Sequence, residues 1–329
     1  MDMDGEHERK IVTVTLSPSL ERTVVTHYLA VGYHNRSVEA TRLDPAGEGV
    51  NISRAVHRLK GRTLAVVLLG DDAIGRAYQA LIEREGFEVV YARVRGQTPG
   101  RTIILDTGHN NETHLIEEGA VISRGDLLAI DSALQEHVRG GDYVVCAGPL
   151  PEGAPLDTYA QLVYTAHKLG ASTMVEAGGE PLREALAAAP DLVVLSQIEA
   201  EAFFNFPVRS QQEVVHCAHR LCEMGAGRAL ILMREASTAV LAAKGGGWLV
   251  DLAAEAAGTT SGVWDALIAG YLTARMAGKP VQEALELGAA AAMFTAEQVG
   301  SEFGTPAQVK PYVRRVDVGP IPPDPDEGR

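Results

Sequence analysis

YVVCAGPLPEGAPLDTYAQLVYTAHKLGASTMVE, residues 143–176, holds one complete βαβ unit. Tyr143–Ala147 is a short, continuously apolar run, as expected of a strand covered on both faces. Residues 156–169 carry helical spacing and stop at Gly170, and Ser172–Glu176 is a second buried strand. The same alternation extends in both directions. Upstream stand a strand at 11–16, a helix at 51–59, a strand at 63–68 and a helix at 74–85 ending at Gly86. Downstream come a helix at 181–189, a strand at 192–195, a helix at 211–224 closed by Gly225, and a strand at 229–233. Repeated units of this kind predict an α/β fold, a doubly wound, mostly parallel sheet with helices on both faces. Two stretches break the rhythm, 24–43 and 89–117. They are polar and rich in Thr, Val, Ile, Tyr and His, and they predict a small antiparallel β-flap standing apart from the main sheet. A hairpin is expected at Lys244-Gly245-Gly246-Gly247, between 239–243 and 248–252. One domain over 11–318 is expected, with lid strands at about 22–44 and 88–118 and flexible tails at 1–10 and 319–329.

The whole-chain numbers bound the function. With 46% hydrophobic residues in 329, the chain can bury a sizeable core. Its 29 Lys and Arg against 43 Asp and Glu give a net charge of −14, which argues against nucleic acid as a partner. Apolar runs are too short to span a membrane, and the charged start MDMDGEHERK lacks the apolar core of a secretory signal. Three cysteines, Cys146, Cys217 and Cys222, form no CxxC pair, and a cytoplasmic setting is expected. His216, Cys217, His219 and Cys222 crowd one helix but read as packing rather than a metal site. His109 and His114 read as solvent-facing residues of the flap.

Two segments could carry chemistry. Thr259-Thr260-Ser261-Gly262-Val263-Trp264-Asp265 runs into an apolar helix, whose first free N–H groups can hold an anion. Asp265 in that first turn suits a base for an attacking hydroxyl. The plainer reading is an ordinary helix cap with an acidic first turn, and the residues taken alone favour it. In Asp44-Pro45-Ala46-Gly47-Glu48-Gly49-Val50-Asn51, the glycines permit close backbone approach and Asn51 can bond sugar hydroxyls. A strand-to-helix turn capped by Asn51 is an equal alternative.

In chain order, these segments resemble the ribokinase-like (PfkB-type) carbohydrate kinases, nearest the 1-phosphofructokinase and tagatose-6-phosphate kinase branch, over about residues 11–299. Ser17-Pro18-Ser19-Leu20-Glu21 stands where the family has Asn-Pro-Ala-x-Asp, and Ala46-Gly47-Glu48-Gly49-Val50-Asn51 where it has Gly-Gly-Lys-Gly-x-Asn. Pro99-Gly100-Arg101-Thr102 resembles the flap segment whose Arg meets substrate, and Ala147-Gly148-Pro149-Leu150-Pro151 the Gly-Ser-Leu-Pro-Pro turn. Ser196-Gln197-Ile198-Glu199 falls at Asn-x-x-Glu, and Gly262-Val263-Trp264-Asp265 at Gly-Ala-Gly-Asp.

The resemblance implies a kinase that moves the ATP γ-phosphoryl to a primary hydroxyl of a sugar or sugar derivative. Asp265 would be the base, and the amides of Gly262, Val263 and Trp264 would help form the anion hole. Glu21, Gly47, Glu48, Asn51 and Arg101 would meet the carbohydrate. Ser196, Glu199, Arg234, Glu235 and Thr238 would serve the nucleotide, with Glu199 holding Mg²⁺ through water. A homodimer formed through the lids is also implied. Four departures bear on the chemistry: Trp264 for a glycine, Ser196 for Asn, Glu235 where Gly-x-x-Gly is usual, and Glu48 for Lys. Glu48 opposes a substrate phosphate. The alternative is a degraded kinase fold that binds a small ligand without phosphoryl transfer, and an unphosphorylated substrate such as a nucleoside also stays open.

Overall fold

The computed structural model describes residues 8–39, 41–233, 238–252 and 260–321. In chain order the first half comprises β1 (Ile11–Thr15), β2 (Ser19–Thr26), β3 (Arg42–Ala46), α1 (Glu48–Arg58), β4 (Thr63–Gly70), α2 (Ala73–Ile82), β5 (Glu88–Val94), β6 (Gly100–Asp106), β7 (Asn111–Ile116) and α3 (Leu128–His137). There follow β8 (Tyr143–Ala147), α4 (Thr158–Lys168), β9 (Ser172–Glu176), α5 (Gly179–Ala187), β10 (Leu192–Ser196), α6 (Gln197–Phe204) and α7 (Gln211–Glu223). The remainder is β11 (Arg228–Met233), β12 (Thr238–Ala243), β13 (Gly246–Asp251), α8 (Val263–Met276), α9 (Val281–Ala296), α10 (Pro306–Val309) and β14 (Asp317–Pro320).

The main sheet has the order β14-β13-β12-β11-β10-β9-β8-β1-β4-β5. It is parallel from β5 to β11 and antiparallel beyond, which is the expected doubly wound sheet with a hairpin appended. Alternation along each strand divides the core. Val144 and Cys146 face the cluster that includes Tyr159, Leu182 and Leu221 of α4, α5 and α7. Val145 and Ala147 face the one that includes Ile52 of α1 and Leu267 and Ala289 of α8 and α9. The hairpin turns more tightly than the sequence implied, because Ala243 pairs with Gly246.

A second sheet, β3-β2-β6-β7, forms the lid. Two features of the expected flap are corrected. Glu88–Val94 does not stand apart: it pairs with β4 in parallel as the edge of the main sheet. Nor is the lid wholly antiparallel, since β2 and β6 pair in parallel from Leu20↔Gly100 to Thr26↔Asp106.

The end of β3 is fixed by buried charge, and this sets the start of α1. Asp44 accepts from Arg54 Nη2 at 2.8 Å and from Arg42 Nε at 2.6 Å, while Arg54 Nε reaches Glu85 at 2.9 Å. Tyr78 Oη donates to the Ala46 carbonyl at 3.0 Å. Breaking a buried pair strands its partner charges, so Arg54→Met is expected to cost about 3 kcal/mol in urea unfolding. A loss below about 1 kcal/mol would place this network among weak surface pairs.

Candidate active site

A cleft of about 450 Å³ opens where β1, β4, β8 and β9 end, between the sheet and the lid. Such a site is usual for open α/β sheets, whose loops diverge at the carboxyl ends of the strands. Gly47, Glu48, Asn51, Arg101, Gly262, Trp264 and Asp265 all line it, so seven of the residues singled out from sequence converge on one volume.

Asp265 sits in the first turn of α8, behind Gly262, which takes a left-handed φ of 76°. A side chain at 262 would be strained in φ and would crowd Phe303, 3.1 Å from its Cβ position. The first bond of the helix runs from the Ala266 N–H to the Gly262 carbonyl at 2.9 Å, leaving the N–H groups of Val263, Trp264 and Asp265 with no intrahelical acceptor. Asp265 is 6% exposed, and its Oδ2 accepts from Asn51 Nδ2 at 2.8 Å. Burial first, then the neighbouring Glu48, push its carboxyl up from the ordinary 3.8 to about 8, against the pull of Asn51. A carboxylate with its pKa near neutrality is well matched to taking a hydroxyl proton. The amide oxygen of Asn51, Oδ1, is buried with no partner and is available to a ligand donor.

The floor of the cleft is acidic. The Glu48 carboxylate lies over Gly148, whose Cβ position would fall 2.5 Å from Glu48 Oε2; only glycine leaves that space. Glu176, at the end of β9, also faces the cleft, and its Oε2 is buried with no partner. Burial raises the pKa of both, helped at Glu176 by Asp265 and Glu48; Arg101 opposes it at Glu48, where Glu199 and Glu21 reinforce it. Glu48 and Glu176 also line an adjoining cavity of about 590 Å³ that reaches Gly178 and Glu199. Glu199 heads α6 in a capping box: its Oε2 accepts from Ser196 N at 2.7 Å and Ser196 Oγ at 2.8 Å, while Ser196 Oγ accepts from Glu199 N. Ser196 is thus an effective helix cap where the family pattern has Asn.

From the lid, Glu21 is fully buried and accepts from Ser261 Oγ at 3.0 Å and Ser301 Oγ at 3.1 Å. Arg101 Nη1 stands 3.8 Å from Glu21 Oε2, and Arg101 Nη2 lies 2.6 Å from His114 Nδ1. His114 therefore faces inward, unlike the exposed His109, which corrects the reading of both as solvent-facing. Of the expected nucleotide-side residues, Arg234 and Glu235 lie outside the described residues, as does Thr259; Thr238 opens β12 opposite Met233. Sequence reasoning missed Glu176, Ser261, Glu112 and His114. Only Ser261 carried a local signal, as a polar neighbour of the Gly262 turn.

Trp264 keeps a helical, negative φ, so its backbone N–H remains in the array. Its side chain is partly buried against the α8–α9 cluster and also lines the cleft. Trp264→Gly is expected to lower stability by about 1–3 kcal/mol through lost burial and a glycine in a helix. It should raise nucleotide binding or turnover by opening the cleft beside Asp265. A destabilised variant with unchanged binding and turnover would make Trp264 a packing residue only.

The sequence profile described as "pfkB family carbohydrate kinase" matches residues 19–308. The chain is 29% identical over 294 residues to the 1-phosphofructokinase of Bacillus subtilis, covering 89% of this chain and 95% of that one. It is 28% identical over 176 residues to the tagatose-6-phosphate kinase of Staphylococcus epidermidis, covering 54% and 56%. In three dimensions it matches phosphofructokinase-2 of Escherichia coli, solved with substrates and products, with a TM-score of 0.85 at 22% identity, over 93% of this chain and 99% of that one.

Proposed function

The chain belongs to the pfkB family of carbohydrate kinases, and on that premise we propose that it transfers the γ-phosphoryl group of ATP to a primary hydroxyl held against Asp265. The observation that carries this reading is the buried Asp265, its pKa raised to about 8, directly behind the free N–H groups at the start of α8. In the proposed step Asp265 takes the hydroxyl proton as the oxygen attacks, and the amides of Val263, Trp264 and Asp265 receive the negative charge on the transferring group. Asn51 holds Asp265 through Nδ2 and offers Oδ1 to a sugar hydroxyl. Arg101, Glu21 and the Gly47 turn complete the carbohydrate contacts from the lid side.

Hydrated Mg²⁺ fits the oxygen donors of Glu199 and Glu176, and would supply neutralisation of phosphate charge there. The remaining nucleotide contacts are assigned to Ser196, Arg234, Glu235 and Thr238. Among the described residues no helix is long and apolar enough to cross a membrane. The lid leaves Leu43, Leu115 and Ile116 exposed beside its β3 and β7 edges, which supports a homodimer formed through the lids. A substrate without a phosphate group suits the acidic floor best, although the relatives above are named for sugar phosphates.

Calorimetric titration with Mg·ATP and Mg·ADP tests the kinase reading. Saturable binding of both, with turnover on a panel of unphosphorylated ketoses, aldoses and nucleosides, is the expected result. Binding of neither would overturn it.

A further inference from the structure

Thr260 and Ser261, the two residues before Gly262, are each held by a carboxylate from the lid. Ser261 Oγ donates to Glu21 of β2, whereas Thr260 donates twice to Glu112 Oε2 of β7, from N and from Oγ1, both at 3.0 Å. The other oxygen of Glu112 lies 2.6 Å from His114 Nε2, and His114 Nδ1 lies 2.6 Å from Arg101 Nη2. Arg101 Nη2 has only hydrogens to offer, so Nδ1 must be the acceptor and Nε2 must carry the proton that goes to Glu112. One neutral tautomer satisfies every bond. The chain runs Arg101 to His114 to Glu112, with Thr260 donating into its far end. Glu112 is 11% exposed at its side chain; burial would raise its carboxyl, but His114 and Thr260 together hold it below the ordinary value. The arrangement therefore works with Glu112 ionised.

Geometry gives this chain two ends of consequence. Arg101 lines the cleft, and Thr260 sits two residues ahead of the turn whose N–H groups open α8. We propose that Glu112 and His114 are positioning residues that join Arg101 to the Thr260–Gly262 turn, so that seating a carbohydrate on Arg101 and setting the anion-receiving amides are one coupled event. This rests on the kinase reading for its catalytic consequence, but the brace itself does not. Lid closure on the cleft then cannot occur without drawing the turn into register, because the two lid carboxylates hold adjacent residues of it. Hydrolysis of ATP in the open state is restrained for the same reason.

The test has an arm that needs no turnover. Backbone hydrogen exchange over 260–265 is compared in the intact protein and in His114→Phe, His114→Gln and Glu112→Gln. Gln keeps an acceptor and a donor at the end of its side chain, whereas Phe keeps the ring shape alone. Exchange is expected to rise roughly tenfold in His114→Phe and Glu112→Gln, the loss of about one charge-assisted bond, and to stay near wild type in His114→Gln. Unchanged exchange in both disrupted variants overturns the proposal, whatever the activity. In the second arm, His114→Phe and Thr260→Val are combined in a double-mutant cycle on kcat/KM for the most active sugar. The coupled reading expects the double variant to lose little more than the worse single one, with kcat falling as well as KM rising. Fully multiplicative losses overturn it. If His114→Phe fails to fold, His114→Gln against Glu112→Gln decides through the exchange arm. A wild-type protein without kinase turnover, yet with the expected exchange pattern, removes the kinase reading and leaves the brace standing.

Discussion

Asp265→Asn is expected to lower kcat by on the order of a hundredfold or more, the usual loss when a general base is removed. KM for the sugar should barely move, because Asn keeps the shape and can still accept from Asn51 through its own oxygen. The pH dependence separates this role from a packing role. With its carboxyl raised to about 8, Asp265 is largely protonated at pH 7, so kcat/KM should climb between pH 6 and 9 in the native enzyme and lose that limb in the variant. Stability should move the other way. The native carboxyl keeps its proton between about 4 and 8, where the unfolded chain has lost it, so this group lowers stability as pH rises through that window. Above pH 8 native Asp265 is a buried charge among Glu48 and Glu21, and Asp265→Asn should melt higher than wild type there. A variant with near-normal kcat, or with its alkaline limb intact, would remove Asp265 from the chemistry.

The alternation of strands and helices was legible because its strands are covered on both faces. Val144, Val145 and Cys146 are apolar in succession, and Gly170 and Gly225 mark helix ends where φ turns positive. Glu88–Val94 was misread for a physical reason. As the edge of the main sheet it is only half covered, with Glu88 and Arg93 exposed, and so has the polar look of a lid strand. The parallel pairing of β2 with β6 lies beyond sequence pattern, since it joins segments about eighty residues apart with no turn between them. The site shows the same division. Gly262, Asp265 and Asn51 were legible as glycine turns leading into helices. Glu176 was not, because a lone acid at the end of an apolar strand acquires meaning only when the fold sets it beside Glu48 and Asp265. His114 has no motif around it, and its inward face follows from the β6–β7 register that sets it opposite Ile103, not from its neighbours in sequence. Ser196 shows the converse. It departs from the family's Asn, yet the capping box supplies its local reason.

Glu48→Lys should strengthen the hold of the cleft on phosphosugars. Arg101 is the one cation among the described residues lining the cleft, against Glu48 on its floor and Glu117, Glu118 and Glu152 at its rim. A substrate phosphate arriving near Glu48 meets a like charge in a partly desolvated site, where such a contact costs on the order of a few kcal/mol. Lysine removes that repulsion, adds an attraction and relieves the neighbouring acids, so affinity for fructose 6-phosphate or fructose 1-phosphate should rise on the order of a hundredfold in calorimetry, roughly 2–3 kcal/mol. The gain should shrink in salt, because the site opens to solvent. Wild type carries its own control. Burial, reinforced by Glu199 and Glu21 against the opposing pull of Arg101, keeps the Glu48 carboxyl above the ordinary carboxylate range. Lowering the pH should therefore neutralise it earlier than an exposed glutamate and improve phosphosugar binding, a trend that Glu48→Gln should flatten. Unphosphorylated sugars should respond weakly to all three changes, since their hydroxyls bond a carboxylate or an ammonium alike. Tight phosphosugar binding by the unmodified protein at pH 7.5, unchanged in Glu48→Lys, would mean that Arg101 alone carries phosphate recognition and that Glu48 does not face the bound substrate.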